Sequence, residues 1–303
     1  MTYSIVARCP DTGMLGMAVA SHVLAVGRIN RYIEPGVGAV ATQSLVLMAH
    51  GERTLSGIRS GLSPQVALDQ SIAIDSQPQV RQVGAVSAAG EVAAHTGDGC
   101  IAQASHVTGD GFSAQANMMA RDGVPEAMAA AFEASLGAPL AQRLLDALDA
   151  AEARGGDIRG RQSASLVVVA PQATGDPMVD AIVDVRVDDS PEPLPELRRL
   201  TRLALANQRL DVADGLVAIG EVAGAAEAYR EAVEVAPDYL EFSFWQAATL
   251  ADIGSADEAR QAWAPVGESA ERHRWTDLLG RCVAAGLLGP HVTETLLGAA
   301  EQP

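Results

Sequence analysis

The segment Asp188-Asp189-Ser190-Pro191-Glu192-Pro193-Leu194-Pro195 constrains the fold more than any other stretch of this chain. Three prolines in five residues mark a boundary or a rigid connector. The hydrophobic pattern changes across it. Before it, short β-branched runs alternate with Ala-rich amphipathic stretches; beyond it, the chain is rich in Ala, Leu and Glu and reads as helix throughout. Two domains are expected, residues 1–192 and residues 193–303, consistent with a prior of ~100–200 residues per domain.

In the first part, residues 3–8 read as a strand and Pro10-Asp11-Thr12-Gly13 as a tight turn. Met14 to Ala20 returns as a second strand, Val23 to Val26 is a third apolar stretch, and Val37 to Thr42 is a fourth. The small residues Gly16, Ala18, Ala20, Gly38, Ala39 and Ala41 suit strands packed closely against another layer. Helices are expected over 45–60, over 64–74 behind a Ser63-Pro64 cap, over 124–135, and from Pro139 towards Gly155-Gly156. Hairpin strands are expected over 80–88 and 91–95, a short strand over 112–116, and a final pair over 163–170 and 181–187. Strands and helices in blocks point to an α+β layering: two sheets with helices outside, an αββα sandwich.

The second part repeats. With residue 206 as the start of a 34-residue unit, Ala213, Gly220, Ala225, Tyr229, Ala232 and Pro237 fall on the tetratricopeptide pattern. Shifted by one unit, Ala247, Gly254, Ala259 and Trp263 fall there again. Such a helical domain is a surface for assembly or for a protein partner; an ordinary helical cap is the competing reading.

Charge narrows the chemistry. A net charge of −17 repels phosphate backbones, so no nucleic-acid partner is expected. No apolar run reaches the ~18–20 residues that span a bilayer, so no membrane partner is expected. The opening residues lack the charged and apolar regions of a signal peptide, and a cytoplasmic protein is expected. Cys9, Cys100 and Cys282 are dispersed without CxxC spacing, and the six His form no HExxH pair, so neither a metal nor another cofactor is indicated. All 21 basic residues are Arg. Without Lys, the chain has no side-chain amine. Its only primary amine is the N-terminus, a group that ordinarily titrates at ~7.7–8.0.

That amine matters because position 2 is Thr. If Met1 is removed, Thr2 carries a hydroxyl nucleophile and an α-amine base in one residue. Four clusters accompany it. In Ser21-His22, the His could act as a base or be an ordinary loop residue. Along Phe112–Asn117, Ser113, Gln115 and Asn117 share one face, where two amides could donate to an oxyanion or form a satisfied polar ladder. In 155–164, Asp157 could orient an amine, and Arg159 or Arg161 could clamp a carboxylate; a structural Asp–Arg pair is the alternative. The acids Asp184, Asp188 and Asp189 could bind a cation, although capping of the Pro-rich turn is the preferred reading.

The N-terminal Thr-Tyr-Ser-Ile-Val-Ala-Arg, the strand Gly36 to Gln43, Arg81-Gln82-Val83-Gly84, His95-Thr96-Gly97, Phe112 to Met119, Gly155 to Ala164 and Asp184 to Asp189 together resemble the family known as domain of unknown function 1028, over about residues 2 to 200. The resemblance implies a fold similar to the N-terminal nucleophile (Ntn) hydrolases: a four-layer αββα sandwich followed here by the small all-α tetratricopeptide-like domain. In proteasome-like members of that class the nucleophile starts the first strand, where Thr2 stands; their supporting lysine has no equivalent here.

The expectation is an Ntn-type amidohydrolase of a small cyclic or N-acyl amide. Thr2, Gln115, Asn117 and Asp157 are its candidate catalytic residues, and His22, Arg159, Arg161 and Gln162 its candidate substrate-binding residues. The alternative is a non-catalytic module that binds a small ligand or a protein on the same sandwich, with the helical repeats serving assembly. A nucleophile elsewhere, such as Ser4 or Ser21, is a third reading. Self-association into a homo-oligomer is expected in either case.

Overall fold

The computed structural model describes residues 2–298, and the chain separates into two compact units, Met1–Thr201 and Arg202–Pro303. In the first unit β1 (Thr2–Arg8) and β2 (Leu15–Ser21) form a hairpin. A short helix α1 (Val26–Ile29) leads into β3 (Tyr32–Glu34) and β4 (Gly38–Ser44). Helices α2 (Ala49–Arg59) and α3 (Pro64–Ala73) follow, the second capped by Ser63 Oγ accepting from Val66 N–H. Then come β5 (Arg81–Ser87), β6 (Val92–Thr96), β7 (Ser105–Gly109) and β8 (Phe112–Asn117). Helices α4 (Val124–Ala134) and α5 (Leu140–Ala153) precede β9 (Ser163–Val169), the short helix α6 (Pro177–Asp180) and β10 (Ala181–Val187).

The strands make two antiparallel sheets. One has the order β10-β9-β2-β1-β8-β7 and the other β3-β4-β5-β6. They meet face to face through Val6, Leu15, Met17, Ala39, Ala41, Val86, Val167 and Val169. Helices α2 and α3 cover the outer face of the smaller sheet, where Leu55, Ile58, Ala67 and Leu68 meet Val40, Val83 and Ala85. Helices α4 and α5 lie against the larger sheet. Close approach requires small residues: a Cβ at Gly16 of β2 would come within 2.6 Å of Leu144 on α5. Thr2 therefore begins the central region of the larger sheet, flanked in register by Ser21 and Asn117.

Three local expectations change. Val23–Val26 is not a strand, because Ala25 takes φ +54° and turns the chain into α1. The helix expected from Leu45 starts only at Ala49, because Ser44 at φ +72° breaks away from the strand into a loop. The division between units falls after Thr201 rather than after Glu192. The Pro-rich segment starts a helix, α7 (Pro193–Ala218), with Pro193 and Pro195 in the first turn, where missing N–H groups do no harm. Leu194 and Leu197 on that turn are buried, and Arg198 bonds to Gln142 and Asp149 of α5.

The second unit continues with α8 (Val222–Val235), α9 (Leu240–Asp252), α10 (Ala256–Gly267), α11 (Arg272–Ala284) and α12 (His291–Leu297). Ala213, Ala225, Tyr229, Ala232, Ala247, Ala259 and Trp263 are all buried. Gly220 and Gly254 take positive φ after α7 and α9, which lets each chain reverse into the next helix. Mixed α and β structure is thus confined to the first unit and helix to the second. No helix among the described residues is long and apolar enough to cross a membrane.

Candidate functional site

Alternation along β1 sends Thr2, Ser4 and Val6 to the face between the sheets and Tyr3 towards α5, where its hydroxyl donates to Glu152 at 2.7 Å. The inter-sheet face carries a chain of buried amides and hydroxyls. Ser113 Oγ donates to Gln115 Oε1, Gln115 Nε2 to Ser4 Oγ, and Ser4 Oγ to Gln43 Oε1, each at 2.7 Å. Gln43 Nε2 donates to the Thr2 carbonyl at 3.1 Å and to Gln82 Oε1 at 2.8 Å. Asn117 Nδ2 donates to the same two oxygens, at 3.3 and 2.9 Å. Gln82 Nε2 donates to Thr96 Oγ1 and to the Ser105 and Ala116 carbonyls. Gly84 makes room for this, since a Cβ there would lie 2.1 Å from Gln115 Oε1.

The Thr2 hydroxyl donates to Ser21 Oγ at 3.2 Å. Beside it a cavity of about 110 Å³ is lined by Val23, Val26, Ile29, Asn30, Thr42, Gln43, Ser44, Val46 and Arg159 as well as Thr2. Three features single this cavity out. Asn30 is 2% exposed, and its Oδ1 accepts from Thr42 N–H at 2.9 Å, yet its Nδ2 is buried without a partner. An unsatisfied buried donor of this kind costs about 1–3 kcal/mol. Ser44, Ala25 and Met118, the described non-glycine residues with positive φ, are a liner of the cavity, a neighbour of the liner Val26, and the residue after Asn117. Strain of this type collects at functional sites. Finally, Arg159 brings a guanidinium to an otherwise neutral lining.

The candidate residues do not all converge. Asp157 is buried and closely held: Arg159 N–H and Nε donate to Oδ1 at 2.9 and 3.1 Å, and Arg159 Nη2 and His22 N–H donate to Oδ2 at 2.7 and 3.1 Å. Its carboxylate thereby ties the end of β2 to the loop that delivers Arg159. The His22 ring turns to the Arg161 carbonyl at 3.2 Å. Arg161 does not line the cavity; it bridges Glu152 and Glu192, and the Glu152 bond raises its pKa. Gln162 donates to Asp189 at 3.2 Å, also outside the cavity. Gln115 and Asn117 are near Thr2 in the sheet, but their amide N–H groups already serve Ser4, Gln82 and the Thr2 carbonyl, and neither residue lines the cavity. Of the other nucleophile candidates, Ser4 is wholly buried in the amide chain and Ser21 accepts from Thr2. Asp184 and Asp188 pair with Arg31 and Arg186. Met1 lies outside the described residues.

A second cluster escaped the sequence reading altogether. His50 Nδ1 is 2.8 Å from Ser71 Oγ, and its Nε2 is 2.7 Å from Asp75 Oδ2. Arg81 Nε donates to Asp75 at 2.6 Å and Arg81 Nη1 reaches the Leu45 carbonyl. The Arg81 guanidinium holds the Asp75 carboxyl well below the ordinary range against the opposing effect of burial, with Gln77 N–H and His50 adding to it. The spacing is that of a nucleophile, base and acid, but Ser71 is 2% and His50 0% exposed, and neither lines any of the cavities described here. The cluster locks α2 to α3 and steadies the loop after Ser44. Larger grooves lie in the helical unit, one of about 690 Å³ between α8, α9 and α10, where Arg230 is already paired with Glu227 and Glu234.

Among curated proteins, none matches this chain. A solved structure, the protein SPO2555 from Silicibacter pomeroyi, described as belonging to family-model DUF1028, is similar with a TM-score of 0.60 and 33% identity, covering 66% of this chain and 84% of that one. The family model described as "Family of unknown function (DUF1028)" matches residues 2–197, which takes in both sheets, the Thr2 cavity and the amide chain. The chain belongs to the DUF1028 family.

Proposed function

We propose that the first unit is an Ntn-hydrolase-like αββα sandwich that hydrolyses a small amide, cyclic or N-acylated, with Thr2 as nucleophile once Met1 is removed. The observation that carries this reading is the position of Thr2 at the head of a central strand, beside a cavity, with its carbonyl gripped by the Gln43 and Asn117 amides. That grip fixes the backbone of residue 2, and with it the directions of a freed α-amine and of Oγ1. Pre-set geometry of this kind is what a nucleophile and its base require.

In the proposed reaction Thr2 Oγ1 attacks the amide carbonyl carbon while the α-amine of Thr2 takes the hydroxyl proton. The amine then returns that proton to the departing nitrogen. Water attacks the resulting ester, its proton passing to the same amine, and the acid product leaves as Oγ1 regains a proton. Arg cannot serve as base, because it stays protonated. Arg159 instead binds a carboxylate on the substrate, its own orientation fixed by Asp157. The cavity, about 110 Å³, is small, which suits a small substrate. Gln115 and Asn117 shape the frame around Thr2, and Arg161 and Gln162 hold the neighbouring loops.

The helical unit serves assembly or a protein partner in this proposal, as tetratricopeptide-like repeats do. The test begins with intact mass of the protein purified from cells. Loss of Met1, together with turnover of a panel of small N-acyl amides that Thr2→Ala abolishes without lowering the melting temperature, is the expected result. Retained Met1 would favour the non-catalytic binding module instead, and undiminished turnover by Thr2→Ala would put the nucleophile on another residue.

A further inference from the structure

We infer that Asn30 is the residue that binds the carbonyl oxygen of the substrate at the Thr2 site, donating from Nδ2 to the oxygen as it becomes an oxyanion. This role rests on the nucleophile assignment above and adds a residue to it.

Of the amides around Thr2, those of Gln43, Gln82, Gln115 and Asn117 all donate within the protein. Asn30 differs from all four. Its Oδ1 is bonded to Thr42 N–H at 2.9 Å, which fixes the sense of the amide, since turning it over would set an NH₂ group against an N–H. The end left over is a donor, it is buried, and it has no partner. Asn30 lines the cavity that Thr2 also lines, between the apolar liners Ile29, Val26 and Val46. A buried donor already oriented by the backbone is the arrangement that stabilises negative charge developing on a bound oxygen.

The placement has a structural cause. Asn30 follows α1, whose entry is forced by Ala25 at positive φ and held by Val26 N–H donating to Ser163 Oγ at 3.1 Å. A Cβ at Gly27 would approach Ser165 to 2.6 Å, so this turn sits hard against β9. The short helix thus delivers Asn30 to β4, where Thr42 receives it.

The probe is a small β-lactone. Thr2 Oγ1 attacks its carbonyl carbon, the ring C–O bond breaks, and the released ring oxygen takes the hydroxyl proton by way of the amine. The whole reagent mass is added and nothing leaves, so intact mass followed by N-terminal peptide mapping reads the reaction. Asn30→Asp keeps the acceptor for Thr42 N–H and replaces the donor with a carboxylate; Asn30→Ser shortens the side chain and keeps it polar. Both variants should lower the maximal acylation rate at Thr2 by about 100-fold, with half-saturating probe concentration and melting temperature little changed. Acylation of Thr2 at the normal rate in either folded variant overturns the role of Asn30 while leaving Thr2 as nucleophile. Absence of acylation in the unmodified protein lacking Met1 overturns both. If Asn30→Asp does not fold, Asn30→Ser decides.

Discussion

Two polar clusters lie on opposite faces of the smaller sheet. On the outer face, Ser71, His50 and Asp75 stand in line at hydrogen-bond spacing; on the inner face, the Thr2 hydroxyl donates to Ser21. Judged by spacing, the outer cluster is the better catalytic site. Judged by what is left unsatisfied, it is the worse one. His50 uses both ring nitrogens, Asp75 is held by Arg81 and His50, and no cavity described here is lined by any of the three. The inner cluster keeps a cavity, a buried donor without a partner, and backbone strain at Ser44. The difference teaches that good spacing alone does not make a site: of the described buried side-chain atoms left without a partner, among them Thr54 Oγ1 and Asn117 Oδ1, only Asn30 Nδ2 belongs to a residue lining the Thr2 cavity.

The sharpest way to break this comparison is to remove each hydroxyl. Thr2→Ala should eliminate β-lactone acylation entirely, whereas Ser71→Ala should leave it within about twofold; acylation that depends on Ser71 would reverse the assignment of the two faces. Next in size is Asp75→Asn, which leaves Arg81 and His50 facing a neutral group and should cost roughly 3–5 kcal/mol in chemical denaturation. Its pH dependence follows from the depressed folded-state pKa of Asp75. The stabilisation is fully present above the unfolded value of ~3.9 and is lost as pH falls from there through the folded value. The stability gap between wild type and Asp75→Asn should therefore stay constant from pH 7 to 5 and close only in more acid solution. A gap that closes on the alkaline side would contradict the ion pair.

Gly84→Ala tests the inner cluster by the same measurement. The added methyl would collide with Gln115 Oε1 between the sheets, and a loss of about 1–3 kcal/mol is expected. Smallest is Ser44→Gly. Relief of a positive φ at a non-glycine residue, offset by the greater freedom of glycine when unfolded, should raise stability by roughly half a kcal/mol. A fall in stability on that change would mean that the Ser44 side chain, and not its backbone, holds the loop.

The sequence alone disclosed the layered α and β part, the helical remainder, and most strands to within a residue or two, because alternation and capping are local signals. Ser63-Pro64 opened its helix as expected, and the strand starting at Ala181 paired with that ending at Val169. Two short strands went unseen. Tyr32–Glu34 is only three residues long, and Ser105–Gly109 is polar on alternate positions with no apolar face to betray it. Within the site, Thr2, Asp157 and Arg159 were legible from their unusual neighbours. Asn30, Gln43 and Gln82 were not, because a buried amide carries no periodic signature and its role depends on partners 12 to 72 residues away. His50 and Ser71, 21 residues apart on two helices, needed the helix pairing before they could meet.

Between the sheets, the linked side chains of Ser4, Gln43, Gln82, Gln115, Asn117, Ser113 and Thr96 include no ionisable group. The first one reached is His106, whose Nδ1 lies 2.8 Å from Thr96 Oγ1 at the edge of the sheet. Burial and the nearby His95 lower the pKa of His106, so it takes up a proton less readily than an ordinary histidine. Behind Thr2 the scaffold is thus built of neutral amides and hydroxyls, and the charged pair of the site, Arg159 with Asp157, stands on the side of the cavity.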